Sequence, residues 1–164
     1  MPSRRKTREF VLQVLFAADV QDRDPEDLLP LLEDHFSSEQ EDAVKVYRVM
    51  KSFARDLVAA VSRDRIAIDR VIRELSHHWK LYRMNRVDRS ILRMAIAEMT
   101  SFPEIPGQVT LDEAVDLGKQ YGTEHSAAFI NGILDKIHEL QQSDPPAQNL
   151  SEILARLDEL TTTH

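Results

Sequence analysis

Arg4, Arg5, Lys6 and Arg8 put four positive charges, and no negative one, ahead of Glu9. Side chains of this kind bind anions: a planar guanidinium grips phosphate through paired N–H bonds and can also stack on a base. The rest of the chain has the opposite sign. The whole carries −7, and residues 9–164 hold 17 basic against 28 acidic residues, hence −11. A basic arm on an acidic body predicts a localised anion site, with RNA or DNA phosphate the foremost ligand. The competing account is a solvated terminal tail.

A second chemical feature follows from helical geometry. At about 100° per residue, Arg5, Leu12 and Phe16 fall on one line, away from the centre of the apolar stripe Val11, Val14, Leu15 and Ala18. Phe16 then sits on the arginine-bearing side, where a nucleobase could stack on it. The alternative is that its ring packs against another helix.

Other chemistry is missing. The chain has no cysteine, which excludes disulfides, thiolate catalysis and Cys-based zinc sites. No Gly-rich phosphate loop, nucleophile elbow or His-Glu-x-x-His motif occurs. His77 and His78 are adjacent, so on a helix they point apart and cannot share a metal by themselves. The many carboxylates are scattered over polar faces. No catalytic residue, metal or cofactor is expected. No apolar run approaches the roughly 20 residues of a membrane helix, and no hydrophobic segment follows the basic N-terminus as in a signal peptide. A cytoplasmic protein without membrane contact is expected.

The elements that must position the arm are helical. Period 3.6 dominates the 164 residues and few stretches alternate with period two, so the fold class is all-α. The first helix is expected from Ser3 to Val20, and a short one from Pro25 to Phe36. A long helix capped by Ser37 or Ser38 should bury Ala43, Tyr47, Met50, Ala54, Leu57 and Val61. It should meet a polar break at Ser62–Asp64 and continue through Ile68, Val71, Ile72 and Leu75 to Ser76. His77–Asn85 is a connection anchored by Trp79, Leu81, Tyr82 and Met84. Arg86–Ser101 carries the stripe Asp88, Ile91, Leu92, Ala95 and Met99, and Pro103 and Pro106 end it.

Thr110 to Glu113 has the form of a capping box, opening a helix that sends Leu111, Ala114, Val115, Gly118 and Tyr121 to the core and stops at Gly122. The next helix starts near His125 and buries Phe129, Ile130, Ile133, Leu134 and Ile137. Gly132 lies inside it, where glycine costs about 1 kcal/mol against alanine; close approach of a backbone or ligand would account for that. Residues 1–142 form the main body. Residues 143–164 comprise a Pro145-Pro146 linker and an amphipathic helix, Leu150 to Leu160, that either packs back or awaits a partner.

Three segments, in order, resemble the NusB family of transcription antitermination factors: Arg4 to Phe16; Asn85 to Arg93; and Asp112 through Glu124 with Phe129 to Lys136. The resemblance spans residues 3–142. It implies two small packed helical bundles and no enzymatic activity; the helices read above, with the C-terminal extension that lies outside the resemblance, make about seven. It also implies binding of the single-stranded boxA element of nascent ribosomal RNA transcripts together with NusE, a ribosomal protein, within an antitermination complex on RNA polymerase. By the same resemblance Arg4, Arg5, Lys6 and Arg8 would hold RNA phosphates, Phe16 and Phe129 would contact RNA, and Asp88 would meet NusE. An acid in the first turn of a helix is also favoured by the helix dipole alone.

Two positions depart from the family pattern: His125 stands for the usual acid and Ala128 for the usual base. Losing that base should cost RNA affinity, and a protonated His125 would offset it. Two other readings compete. One is a helical interaction module, a homodimer among its forms, with no specific RNA target. The other is an RNA-binding domain like those that precede the catalytic domain of some ribosomal RNA methyltransferases, against which the short chain speaks.

Overall fold

The computed structural model describes residues 4–37, 41–77 and 84–162, with the backbone alone at 35–37 and 41–49. These residues form seven helices: α1 Arg4–Gln21, α2 Pro25–Ser37, α3 Glu41–Ser76, α4 Arg86–Ser101, α5 Gly107–Tyr121, α6 Ser126–Gln142 and α7 Leu150–Thr162. No strand occurs among the described residues. None of these helices is long and apolar enough to cross a membrane.

The helices group as α1–α3 and α4–α6, each set packing among itself, with α4 also against α1 and α3. Helix α4 is the axis: every residue from Asp88 to Met99 is buried. Helices with one apolar stripe sit at a surface, whereas one covered on all sides must satisfy its polar residues internally. This placement therefore brings Arg89, Arg93 and Glu98 into ion pairs. Arg93 donates to both oxygens of Asp69 on α3 at 2.8 and 2.9 Å, and Arg89 donates to Asp19 on α1. Burial works against the Asp19 carboxylate, but hydrogen bonds and charge from Arg89, with Arg93 behind, hold it below the ordinary carboxylate range.

The expected apolar face of α1 is buried as read: Val11, Val14, Leu15 and Ala18. Several local expectations are corrected. Ser62–Asp64 does not interrupt α3, because these residues stay off its buried stripe and find partners outside it, Ser62 with Asp24 and Arg63 with Asp64 and Ser101. Helix α5 starts at Gly107, a turn before the capping box. Thr110 is buried and its hydroxyl donates to Glu98 instead, since a buried carboxylate is the stronger acceptor. Tyr121 lies half exposed at the end of α5. Gly118 is where α5 and α6 approach: a Cβ there would stand 2.8 Å from Ile130 Cδ1. Nothing of the described chain lies within 4 Å of a Cβ at Gly132, so no backbone crosses there.

Residues 143–149 are held rather than loose. Gln141 Nε2 donates to the carbonyls of Met99 and Gln148, and Ala147 is buried. Helix α7 packs back onto α3 through Leu150, Ile153 and Leu157, with Arg70 paired to Asp158 at 2.8 Å. Met84 is buried as expected. The expected cap at Ser38, the side chains of Ala43 and Tyr47, and Trp79, Leu81 and Tyr82 lie outside the described residues.

Candidate nucleic-acid interface

The basic arm is the first turn of α1. It holds no acidic residue. Cations at a helix N-terminus oppose the helix dipole, so this turn needs support from other elements. Three elements supply it: α4 holds Arg8, α5 holds Arg5 and α3 holds Arg4.

Arg8 goes inward. It is 4% exposed, and its Nε and Nη2 donate to the two carboxylate oxygens of Glu98 at 2.7 and 2.9 Å. Thr110 donates to the same carboxylate. The expectation of Arg8 as a phosphate contact is therefore corrected. It shares a face with Val11 and Leu15, and that face lies on α4, so its fork is used up by a buried partner. A buried pair of this geometry anchors α1; it offers nothing to solvent.

Arg4, Arg5 and Lys6 remain exposed. Arg5 reaches across to α5, Nε to Glu113 at 3.1 Å and Nη2 to Asp116 at 2.6 Å. The negative charge of Glu113, with its hydrogen bond, raises the Arg5 guanidinium above its ordinary range; Asp116 adds to this. Such exposed pairs exchange readily with other anions. Arg4 lies over the ring of Phe53 on α3, its guanidinium carbon 5.1 Å from the centroid. Sequence reasoning missed Phe53, Glu98, Glu113 and Asp116. Only the position of Arg8 on the apolar stripe hinted at a buried acid.

Phe16 is 39% exposed and Tyr121 44%. Both line an open cleft of about 210 Å³ with Glu9, Leu12, Gln13 and Val87. The line Arg5, Leu12, Phe16 read from the sequence thus faces α5: Arg5 bonds to it, Leu12 is buried, and Phe16 stands at the cleft. Phe16 is not a core residue, and an exposed apolar cleft with two rings suits a flat apolar group.

Phe129 is partly buried against the core, on the first part of α6, and Asn131 and Gly132 beside it are exposed. His125 precedes α6 as an exposed N-cap residue beside Glu124 at 3.2 Å, and Ala128 is exposed. Asp88 is buried. Burial pushes its carboxyl above the ordinary range, and a hydrogen bond with Ser126 opposes that. Its Oδ1 meets no hydrogen-bond donor among the described residues. Arg86 and Asn85 form the exposed part of that first turn. No group of His, Cys, Asp and Glu among the described residues has metal-binding geometry.

A model of the NusB family matches residues 5–139. A transcription antitermination protein NusB of Geotalea uraniireducens is 44% identical over 140 residues, 85% of this chain and 97% of that one. One of Pelotomaculum thermopropionicum is 43% identical over 144 residues, 88% and 94% of the two chains. Among solved structures, Thermotoga maritima NusB superposes with a TM-score of 0.72 at 35% identity, over 84% of this chain and 91% of that one. A chain from a crystal structure of the antitermination factors NusB and NusE in complex with double-stranded RNA superposes with a TM-score of 0.68 at 26% identity, over 83% and 96%.

Proposed function

The chain belongs to the NusB family, and from that premise we propose that it is an RNA-binding transcription antitermination factor working with NusE. One observation carries the reading: an acidic protein presents an ordered helical turn of three exposed cations, next to a cleft walled by two exposed aromatic rings. Arg4, Arg5 and Lys6 take RNA phosphates, and RNA displaces Glu113 and Asp116 from Arg5. Arg8 holds the turn to the body from beneath. Phe16, beside Tyr121, takes an apolar face of the RNA, and Phe129 extends the contact along α6. NusE docks near the start of α4, where Asp88 lies under the exposed Asn85 and Arg86.

The RNA is a boxA-type single strand of ribosomal RNA transcripts, and the assembly joins RNA polymerase. The acidity of the body limits what the isolated chain can bind, because phosphate contacts supply much of nucleic-acid affinity. NusE therefore completes the surface. No catalytic step enters.

The test is the affinity for a short boxA-type RNA, with and without NusE, against a scrambled RNA of equal length. Sequence-dependent binding strengthened by NusE is expected. Equal weak binding to both RNAs, unmoved by NusE, overturns the reading.

A further inference from the structure

Phe53 belongs to no segment of the arm, yet two arm residues converge on it. The guanidinium carbon of Arg4 stands 5.1 Å from the ring centroid and that of Arg8 5.8 Å. Phe102, just past the end of α4, meets the same ring edge-to-face with centroids 5.4 Å apart. The ring is partly buried, so its place is fixed by packing rather than by Arg4. Arg8 is fixed independently by Glu98. Arg4 is the first helical residue of α1, in a turn that contains no acidic residue of its own and in which Arg5 is tied to carboxylates of another helix, Glu113 and Asp116. A terminal turn frays unless something holds it, and cations make the fraying worse.

We infer that Phe53 is a positioning residue for RNA binding: its ring face holds the Arg4 guanidinium and so keeps the first turn of α1 wound, with the cations presented together. The inference rests on the arm as phosphate site. A guanidinium can lie on a ring through its face and still donate N–H bonds from its edge, so Arg4 keeps the contact when phosphate arrives. The ordering is then paid before RNA binds rather than during it. Phe53 itself touches no RNA.

The test is a series at position 53 read by RNA affinity across salt concentrations. Phe53→Leu removes the ring face but keeps an apolar side chain. It should weaken RNA binding about two- to fivefold, the range of an exposed cation–π contact. The log-log salt slope should stay unchanged, since no phosphate contact is deleted. Phe53→Trp and Phe53→Tyr should restore wild-type affinity. A site-specific fluorinated phenylalanine, which empties the ring face of charge at nearly constant shape, should behave like leucine and covers the case in which Phe53→Leu unfolds. Amide exchange at residues 8–10, whose N–H groups donate to the carbonyls of Arg4, Arg5 and Lys6 in a wound first turn, should quicken in the leucine and fluorinated variants. Equal affinities along the series overturn the inference, as does a loss shared by Trp and Tyr, which would mark plain packing. Arg4→Ala and Arg5→Ala are the reference. If both bind RNA like the wild type, the arm reading itself fails; if they weaken it while position 53 is silent, only the role of Phe53 fails.

Discussion

Arg5 and Arg8 stand less than one helical turn apart on α1, and the protein uses them in opposite ways. Arg5 is exposed and bonded to two carboxylates of α5, the exposed Asp116 and the partly covered Glu113. Arg8 and Glu98 are both almost wholly buried, joined by two hydrogen bonds. In water an ion pair is weak and exchangeable. In the interior each charge depends on the other, because a lone buried charge is costly. The same residue type is therefore left within reach of solvent anions at one position and locked into the architecture at the other. A count of four basic residues overstates the exposed positive charge of the arm by one. The cluster of Arg89 and Arg93 with Asp19 and Asp69 repeats the buried pattern on the other side of α4.

The sharpest way to break this comparison is to cut the buried pair. Arg8→Ala or Glu98→Ala should cost about 3–5 kcal/mol of stability, read as a lower denaturation midpoint. Replacing Arg8, Glu98 and Thr110 together by Met, Leu and Val should recover most of it. Unchanged stability in Arg8→Ala with lower RNA affinity would put Arg8 back among the phosphate contacts.

Phe16→Ala comes next. It should weaken RNA binding by roughly 1–3 kcal/mol if a base lies on the ring, and the fold should survive because the ring is already 39% exposed. Loss of folding in this variant would make Phe16 a packing residue after all.

Arg5→Ala should leave the unfolding midpoint in place. The magnitude of the log-log salt slope for single-stranded RNA should drop by about 0.7. A fixed slope would remove Arg5 from the phosphate site.

The smallest effect tests the buried acid at the start of α4. The Asp88 carboxyl is raised by burial in the folded protein. The folded state then holds the proton more tightly than the unfolded state. Stability should fall as pH rises through the ordinary carboxylate range up to the raised value, and stay lower above it. Asp88→Asn lacks this penalty, so its melting temperature should gain on the wild type from acid to neutral pH. A lower melting temperature of Asp88→Asn at neutral pH would show that the charge is used in the fold.

Much of the fold was legible because it rests on periodicity. The stripes of α1, α4 and α6 are local facts, and Val11, Leu92 and Ile133 are buried where spacing put them. Errors arose where a residue had two local options and a distant one decided. Thr110 has the form of a cap, but Glu98 lies within reach, so its hydroxyl turns inward. Tyr121 continues an apolar stripe, but α5 ends there at the surface and its ring stays half exposed.

The sequence by itself determined seven helical segments, an acidic body with a basic start, and a family resemblance that the match over residues 5–139 bears out. Only the tertiary structure decided which of the four basic residues can meet a ligand. The partners that sort them lie far along the chain: Glu98 is 90 residues from Arg8, and Glu113 is 108 from Arg5. Helical spacing fixes the direction of a side chain around its own axis, but not what another helix places opposite it. Whether a charge is buried with a partner or left in water depends on that second helix.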